Sequence, residues 1–130
     1  MKSFGTKAWL LPQPVLIIGT YDKEGRPNAM NAAWAGTWDY KEIMISMGNH
    51  ATTKNLDLCG DFTVAFATKQ TLVAADYVGL VSAKKEPKKI ENTRWKVEKA
   101  ETFLRGWNTN KTVYRLVAAV DTAGDRKSVV

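Results

Sequence analysis

Residues 14–36 read PVLIIGTYDKEGRPNAMNAAWAG. The first nine, PVLIIGTYD, are apolar and rich in β-branched residues, and Pro14 and Asp22 bound them. That pattern predicts a buried strand. The next residues, YDKEGRPN, carry turn chemistry at Asp22 and Gly25, and Pro27 closes the turn. The stretch NAMNAAWAGTW, residues 28–38, has no charge and alternates small residues with two indoles. It is predicted as the returning strand. A backbone this bare admits close packing in a small barrel, or the approach of a flat ring to main-chain groups.

The pattern continues outward. EIMISM (42–47) and DFTVAFAT (61–68) read as further strands, the second with Phe62, Val64 and Phe66 on one face. Between them, HATTKNLDLCGD fits a short helix. Thr52 or Thr53 is its expected cap, Leu56 and Cys59 its inner face, and Gly60 its stop. QTLVAADYVGLVSA (70–83) spaces Leu72, Ala75 and Val78 or Gly79 as a helix does. TVYRLVAAVD (112–121) is a late strand, with a turn at TAGDRK after it. Only Ser128, Val129 and Val130 remain there to pair with it, which predicts an open edge. There are no internal repeats. The sum is a mainly β domain over residues 1–130, a barrel decorated by one or two short helices. It lacks the βαβ alternation and the G-x-G-x-x-G of a dinucleotide fold.

Composition narrows the function. The chain has 130 residues, one cysteine, one histidine and a net charge of +6. One cysteine excludes an internal disulfide and fits a reducing, cytoplasmic setting, with Cys59 read as a small buried hydrophobe. One histidine excludes a multi-histidine metal site. No apolar run reaches a membrane span, and no cleavable leader is read at the N-terminus. The segment KKEPKKIENTRWKVEK (84–99) mixes seven basic with three acidic residues and is broken by Pro87. It reads as a solvated, partly mobile stretch, with a contribution to binding a phosphate as the functional alternative. No aromatic interleaving marks it as a nucleic-acid surface. No nucleophile elbow is present, so no catalytic side chain is assigned. Any redox chemistry would belong to a bound cofactor.

Two features bear on a ligand. The loop SMGNHATTKN (46–55) is glycine-bearing and hydroxyl-rich and opens a helix, where free backbone N–H groups favour an anion. Ser46, Thr52, Thr53 and Lys54 are the candidate contacts, against the plainer reading of an ordinary cap. The bare stretch at Ala32, Ala33, Ala35 and Gly36 leaves main chain open to a heterocycle, with Trp34 or Trp38 as a wall. A flat polar ring with a phosphate tail is what FMN offers.

The motifs PVLIIGTYDKEGRPNAMNAAWAG, ISMGNHATTKNL (45–56), FTVAFAT (62–68) and AADYVGLVSAKK (74–85) together resemble the flavin reductase-like, FMN-binding split-barrel family, flavoredoxin type, over about residues 8–102. The resemblance implies a split β-barrel, usually dimeric, with FMN near the subunit interface. It implies electron transfer between a reduced nicotinamide, NAD(P)H, or another donor and the flavin. It places Asn31, Ala32, Ala33 and Trp34 against the isoalloxazine ring. Ser46, Met47 and Gly48 would flank the ring and ribityl chain. His50, Thr52, Thr53 and Asn55 would hold the ribityl and phosphate end. Asp76, Tyr77 and Gly79 would lie close to the flavin, with Ser82 and Lys84 after them. Two departures stand out: Gly48 and Asn49 replace basic residues of relatives, and the resemblance ends near Phe103, as for a shortened or divergent C-terminal part. The expected function is an FMN-binding oxidoreductase, with a non-enzymatic flavin carrier or storage protein as the alternative. No nucleic acid or membrane partner is expected.

Overall fold

The computed structural model describes residues 2–3, 5–7, 10–98, 100, 103–108 and 114–121. The first hairpin forms as expected. β1 (Leu16–Tyr21) pairs antiparallel with β2 (Pro27–Ala32) from Leu16↔Ala32 to Tyr21↔Pro27. The turn between them is held by Asp22, whose Oδ1 accepts from the backbone N–H groups of Glu24 and Arg26. Gly25 sits at φ 77°, a conformation that glycine adopts without a steric penalty. Arg26 Nε donates to Asp22 Oδ2 at 2.7 Å.

The returning stretch is two strands, not one. β2 ends at Ala32 and β3 (Ala35–Asp39) begins after Ala33 and Trp34. β3 pairs with β4 (Glu42–Met47) and not with β1, so the chain changes neighbours at Ala33–Trp34. A uniformly small, uncharged stretch carries no period break to mark that step.

α1 (Ala51–Cys59) comes next, with His50 as its N-cap residue. The cap differs from expectation. Thr53, three residues into the helix, returns its Oγ1 to accept the His50 N–H at 2.9 Å, half of the reciprocal arrangement that opens many helices. The helix stops at Gly60 as expected, at φ 74° in the left-handed region. Cys59 is exposed, contrary to its reading as a buried hydrophobe, and its Sγ donates to the Asn55 carbonyl. The inner face is instead Thr52, Thr53, Asn55 and Leu56. Asn55 Nδ2 donates to Thr20 Oγ1 at 3.0 Å, so the polar pair crosses from helix to strand already satisfied.

β5 (Asp61–Phe66) lies beside β1. α2 (Leu72–Leu80) buries Ala75 and Val78 but exposes Leu72, which the spacing had set on the same face. The charged segment holds a third helix that its composition did not announce, α3 (Lys89–Thr93), with Lys89 and Ile90 both buried. β6 (Phe103–Asn108) and β7 (Tyr114–Asp121) complete a seven-stranded sheet in the order β2-β1-β5-β6-β7-β4-β3. β7 is not the edge expected for it, since it pairs with β6 on one side and β4 on the other. The expected TAGDRK turn and the strand return beyond it lie outside the described residues. The free edges among the described residues are β2 and β3, so the barrel is split and its sheet is open.

Two apolar clusters lie on opposite faces of β2. Leu16, Ile18, Ala32, Ile45, Met47, Leu56 and Phe62 form the larger. Ile17, Ala29, Ala75, Val78 and Ile90 form the smaller, under α2 and α3. No helix of the described residues is long and apolar enough to cross a membrane.

Phe62 and Phe66 share a face of β5 by period but differ in burial, at 0% and 65% exposed. Phe62→Ala should therefore destabilise by roughly 3–5 kcal/mol, and Phe66→Ala by well under roughly 1 kcal/mol, within the usual range for surface changes. Urea unfolding of the two variants checks this.

Candidate functional site

β2 meets all three helices. Its side chains alternate between faces. On one face Asn28 Nδ2 donates to Thr52 Oγ1 of α1 at 2.9 Å. On the other, Asn31 Nδ2 donates to the Ala75 carbonyl of α2 at 2.9 Å. Lys89 Nζ of α3 donates to the Ala29 carbonyl at 2.6 Å. Between these contacts runs a cleft of about 280 Å³. Its walls are Asn28, Met30 and Asn31 of β2; Asn49, His50, Ala51 and Thr52 at the start of α1; and Val78 to Lys84 at the end of α2, with Lys89 beside them.

The electrostatics are one-sided. His50, Lys84 and Lys89 line the cleft and no carboxylate does. Lys89 is only 4% exposed, and the hydrogen-bond partner of its ammonium among the described residues, the Ala29 carbonyl, is neutral. Burial pushes its pKa down from the ordinary 10.5 to about 8, because a buried ammonium lacking a counter-charge is poorly solvated. The nine-residue helix α1 also presents its first backbone N–H groups to this region. Two acceptors complete the set. Asn28 Oδ1 and Asn31 Oδ1 are buried and have no hydrogen-bond partner among the described residues. Cationic groups thus meet unsatisfied acceptors in one cleft. The arrangement suits a ligand that has an anionic group and also N–H or O–H donors.

Of the residues proposed from sequence, the cleft gathers Asn31, His50 and Thr52, along with Gly79, Ser82 and Lys84. Ala32 and Met47 are in the larger core. Thr53 is in the α1 cap and Asn55 is bonded to Thr20. Gly48 lies against His50, whose Nε2 is 3.2 Å from where a Cβ would stand. Ser46 donates its backbone N–H to the Trp34 carbonyl at 2.7 Å. Ala33 and Trp34 are exposed outside the cleft, Trp34 at 60%. Asp76 is exposed, and Tyr77 packs on the smaller core with its Oη accepting from Asn92. Lys54 is exposed on α1 and does not line the cleft. Asn28 and Lys89 were missed. Lys89 stood within a charge run that looked solvated, and only its adjacency to the apolar Ile90 hinted at burial. A second hollow of about 280 Å³ lies between Phe66, Ile90, Trp95 and Val97. Lys96, the one charged residue lining it, is paired with Glu98 at 2.5 Å.

No family model matches the chain, and no curated protein matches it in sequence. Solved structures do match its fold. Flavoredoxin of Desulfovibrio vulgaris (Miyazaki F) aligns at 25% identity and TM-score 0.82, over 96% of this chain and 76% of that one. A flavoredoxin from Methanosarcina acetivorans aligns at 21% identity and TM-score 0.79, over 98% and 76%. The FMN-binding domain of a flavin reductase-like enzyme from Shewanella baltica aligns at 16% identity and TM-score 0.72, over 83% and 66%. The chain therefore has the split-barrel fold of the flavoredoxins and flavin reductase-like proteins. The likeness also reaches past Phe103, where resemblance in sequence stops.

Lys89 binds protons less readily in the folded protein than in the unfolded chain. Stability should therefore rise with pH between about 8 and 10.5, by up to ~1.4 kcal/mol per pH unit. Thermal unfolding across that range checks it, and Lys89→Met should remove this part of the rise.

Proposed function

We propose that this chain binds FMN and passes electrons between a reduced nicotinamide, or another donor, and that flavin. The carrying observation is the cleft along β2, where the buried ammonium of Lys89 and the unsatisfied oxygens of Asn28 and Asn31 meet. A phosphate answers the ammonium, and ribityl hydroxyls and ring N–H groups answer the amide oxygens. The fold shared with flavoredoxin supports the same ligand.

Bound FMN would supply the redox chemistry. The chain's part is to hold and shield it. Lys89, Lys84 and the N–H groups at the start of α1 would hold the phosphate. Asn28 and Asn31 would accept from the ligand's donors. At about 280 Å³ the cleft is at the small end of ligand sites, which run from roughly 300 to 1,000 Å³. It would take the tail, and the ring would extend past Asn31 towards Ala33 and Trp34. No side-chain acid or base is required for positioning of this kind.

A homodimer belongs to the proposal. Trp34 and Trp38 are exposed at the edge strand β3, and Tyr40 comes just after it at 93% exposure. A second subunit covering them would complete the shielding of the ring. The single cysteine fits work in the cytoplasm.

Purified protein mixed with FMN and freed of excess should keep a yellow flavin spectrum. It should then oxidise NADH or NADPH. A colourless protein overturns the reading, while a yellow protein inert to both nicotinamides makes it a carrier or storage protein. Lys89→Met should weaken FMN at least about tenfold, as expected for a charge-assisted contact worth roughly 1.5–3 kcal/mol, while changing riboflavin binding little.

A further inference from the structure

Asn31 and Gly79 are 48 positions apart in sequence and in direct contact. A Cβ placed on Gly79 would stand 2.5 Å from Asn31 Nδ2, closer than side-chain atoms approach. The amide thus occupies the space where any other residue of α2 would project. Its orientation is also fixed. The nitrogen lies 2.9 Å from the Ala75 carbonyl, which is an acceptor only. Turning the amide over would set two acceptors against each other, so the nitrogen must face Ala75. Oδ1 is then the atom left buried with no partner, and Asn31 lines the cleft.

A buried carbonyl oxygen without a donor is destabilising, and no flip relieves it here, because the oxygen would then face the Ala75 carbonyl. We infer that Asn31 is a specificity-determining residue, whose Oδ1 accepts a hydrogen bond from a donor on the bound flavin and so rejects ligands that lack that donor. This rests on the FMN reading above and adds to it a side-chain contact of stated polarity. A flavin has two kinds of donor that suit this acceptor, the imide N–H of the ring and the secondary hydroxyls of the ribityl chain. Both give the same chemistry at Oδ1. Gly79 serves the contact indirectly, by leaving the amide its place.

The test uses the full chain and three probes: FMN, FMN methylated at ring N3, and an FMN analogue whose side chain lacks the secondary hydroxyls. Dissociation constants are read by flavin fluorescence for wild type, Asn31→Leu and Asn31→Ala. Leu keeps the volume without polarity, and Ala relieves any crowding at Gly79 should the Leu variant fold poorly. Circular dichroism confirms the fold of each. On wild type, one analogue should bind about 10–100-fold more weakly than FMN, and that penalty should shrink to within about threefold on the variants. Loss with the methylated ring identifies the imide donor. Loss with the shortened side chain identifies a hydroxyl. Penalties of equal size on wild type and folded variants overturn the role of Asn31 while leaving FMN binding intact. Failure of wild type to bind FMN at all overturns both readings together.

Discussion

β2 has β1 on one side and, among the described residues, no strand on the other. An edge strand must satisfy or protect its outward polar groups, or it pairs with whatever comes near. Here the protection comes from helices. Lys89 of α3 reaches the Ala29 carbonyl, the Ala75 carbonyl of α2 receives Asn31, and Thr52 of α1 receives Asn28. Three helices from separate parts of the chain are thereby fixed around one strand. The cleft is the space they leave between them. Removing the edge by adding a strand would also remove the site.

That solution has an energetic consequence. Lysine is rarely buried without a charged partner, because desolvation of the ammonium is costly. Lys89 donates to a neutral carbonyl instead, and its lowered pKa reflects the cost of burial. Asn28 and Asn31 each leave an oxygen unanswered. The stability lost along β2 is offset by the two apolar clusters on its faces. Binding sites commonly concentrate such local penalties, since a ligand that relieves them gains the same free energy as affinity.

The strands were legible where composition alternates. EIMISM and DFTVAFAT gave β4 and β5, and the apolar run PVLIIGTYD gave β1, each within a residue or two, whereas the returning stretch gave the start of β2 but not its end at Ala32. The split at Ala33–Trp34 was not legible, since small residues serve a strand end and a strand middle alike. α3 was hidden for another reason. Lys89 is polar by type but lies inside, and no local pattern shows that its partner is a carbonyl 60 residues away. β6 was not read as a strand, and its place beside β5 rests on the distant pairs Asp61↔Arg105 and Phe62↔Leu104, whereas its pairing with β7 is local. Within the site, Thr52 emerged from helix-start chemistry and His50 from the family resemblance, whereas Met47 and Asn55 turned out to face the interior. The stretch that looked bare for a ring is bare in part because Ala29 and Ala32 pack under α2 and in the core. Only Ala33 in that stretch is a small residue left exposed next to an exposed indole.

The two kinds of penalty in the cleft select different properties of a ligand. The oxygens of Asn28 and Asn31 are neutral acceptors and need only a donor at the right place. A donor cannot neutralise Lys89. The ammonium therefore sets the requirement for an anion, and no carboxylate among the lining residues meets it internally. The amides discriminate by the position of a ligand's donors instead. Asn28 lies beside the start of α1 and Asn31 lies three residues further along β2, about 10 Å away at the usual strand rise. A small free anion would satisfy the first end and leave the second unanswered. An elongated ligand, with charge at one end and donors along its length, answers both.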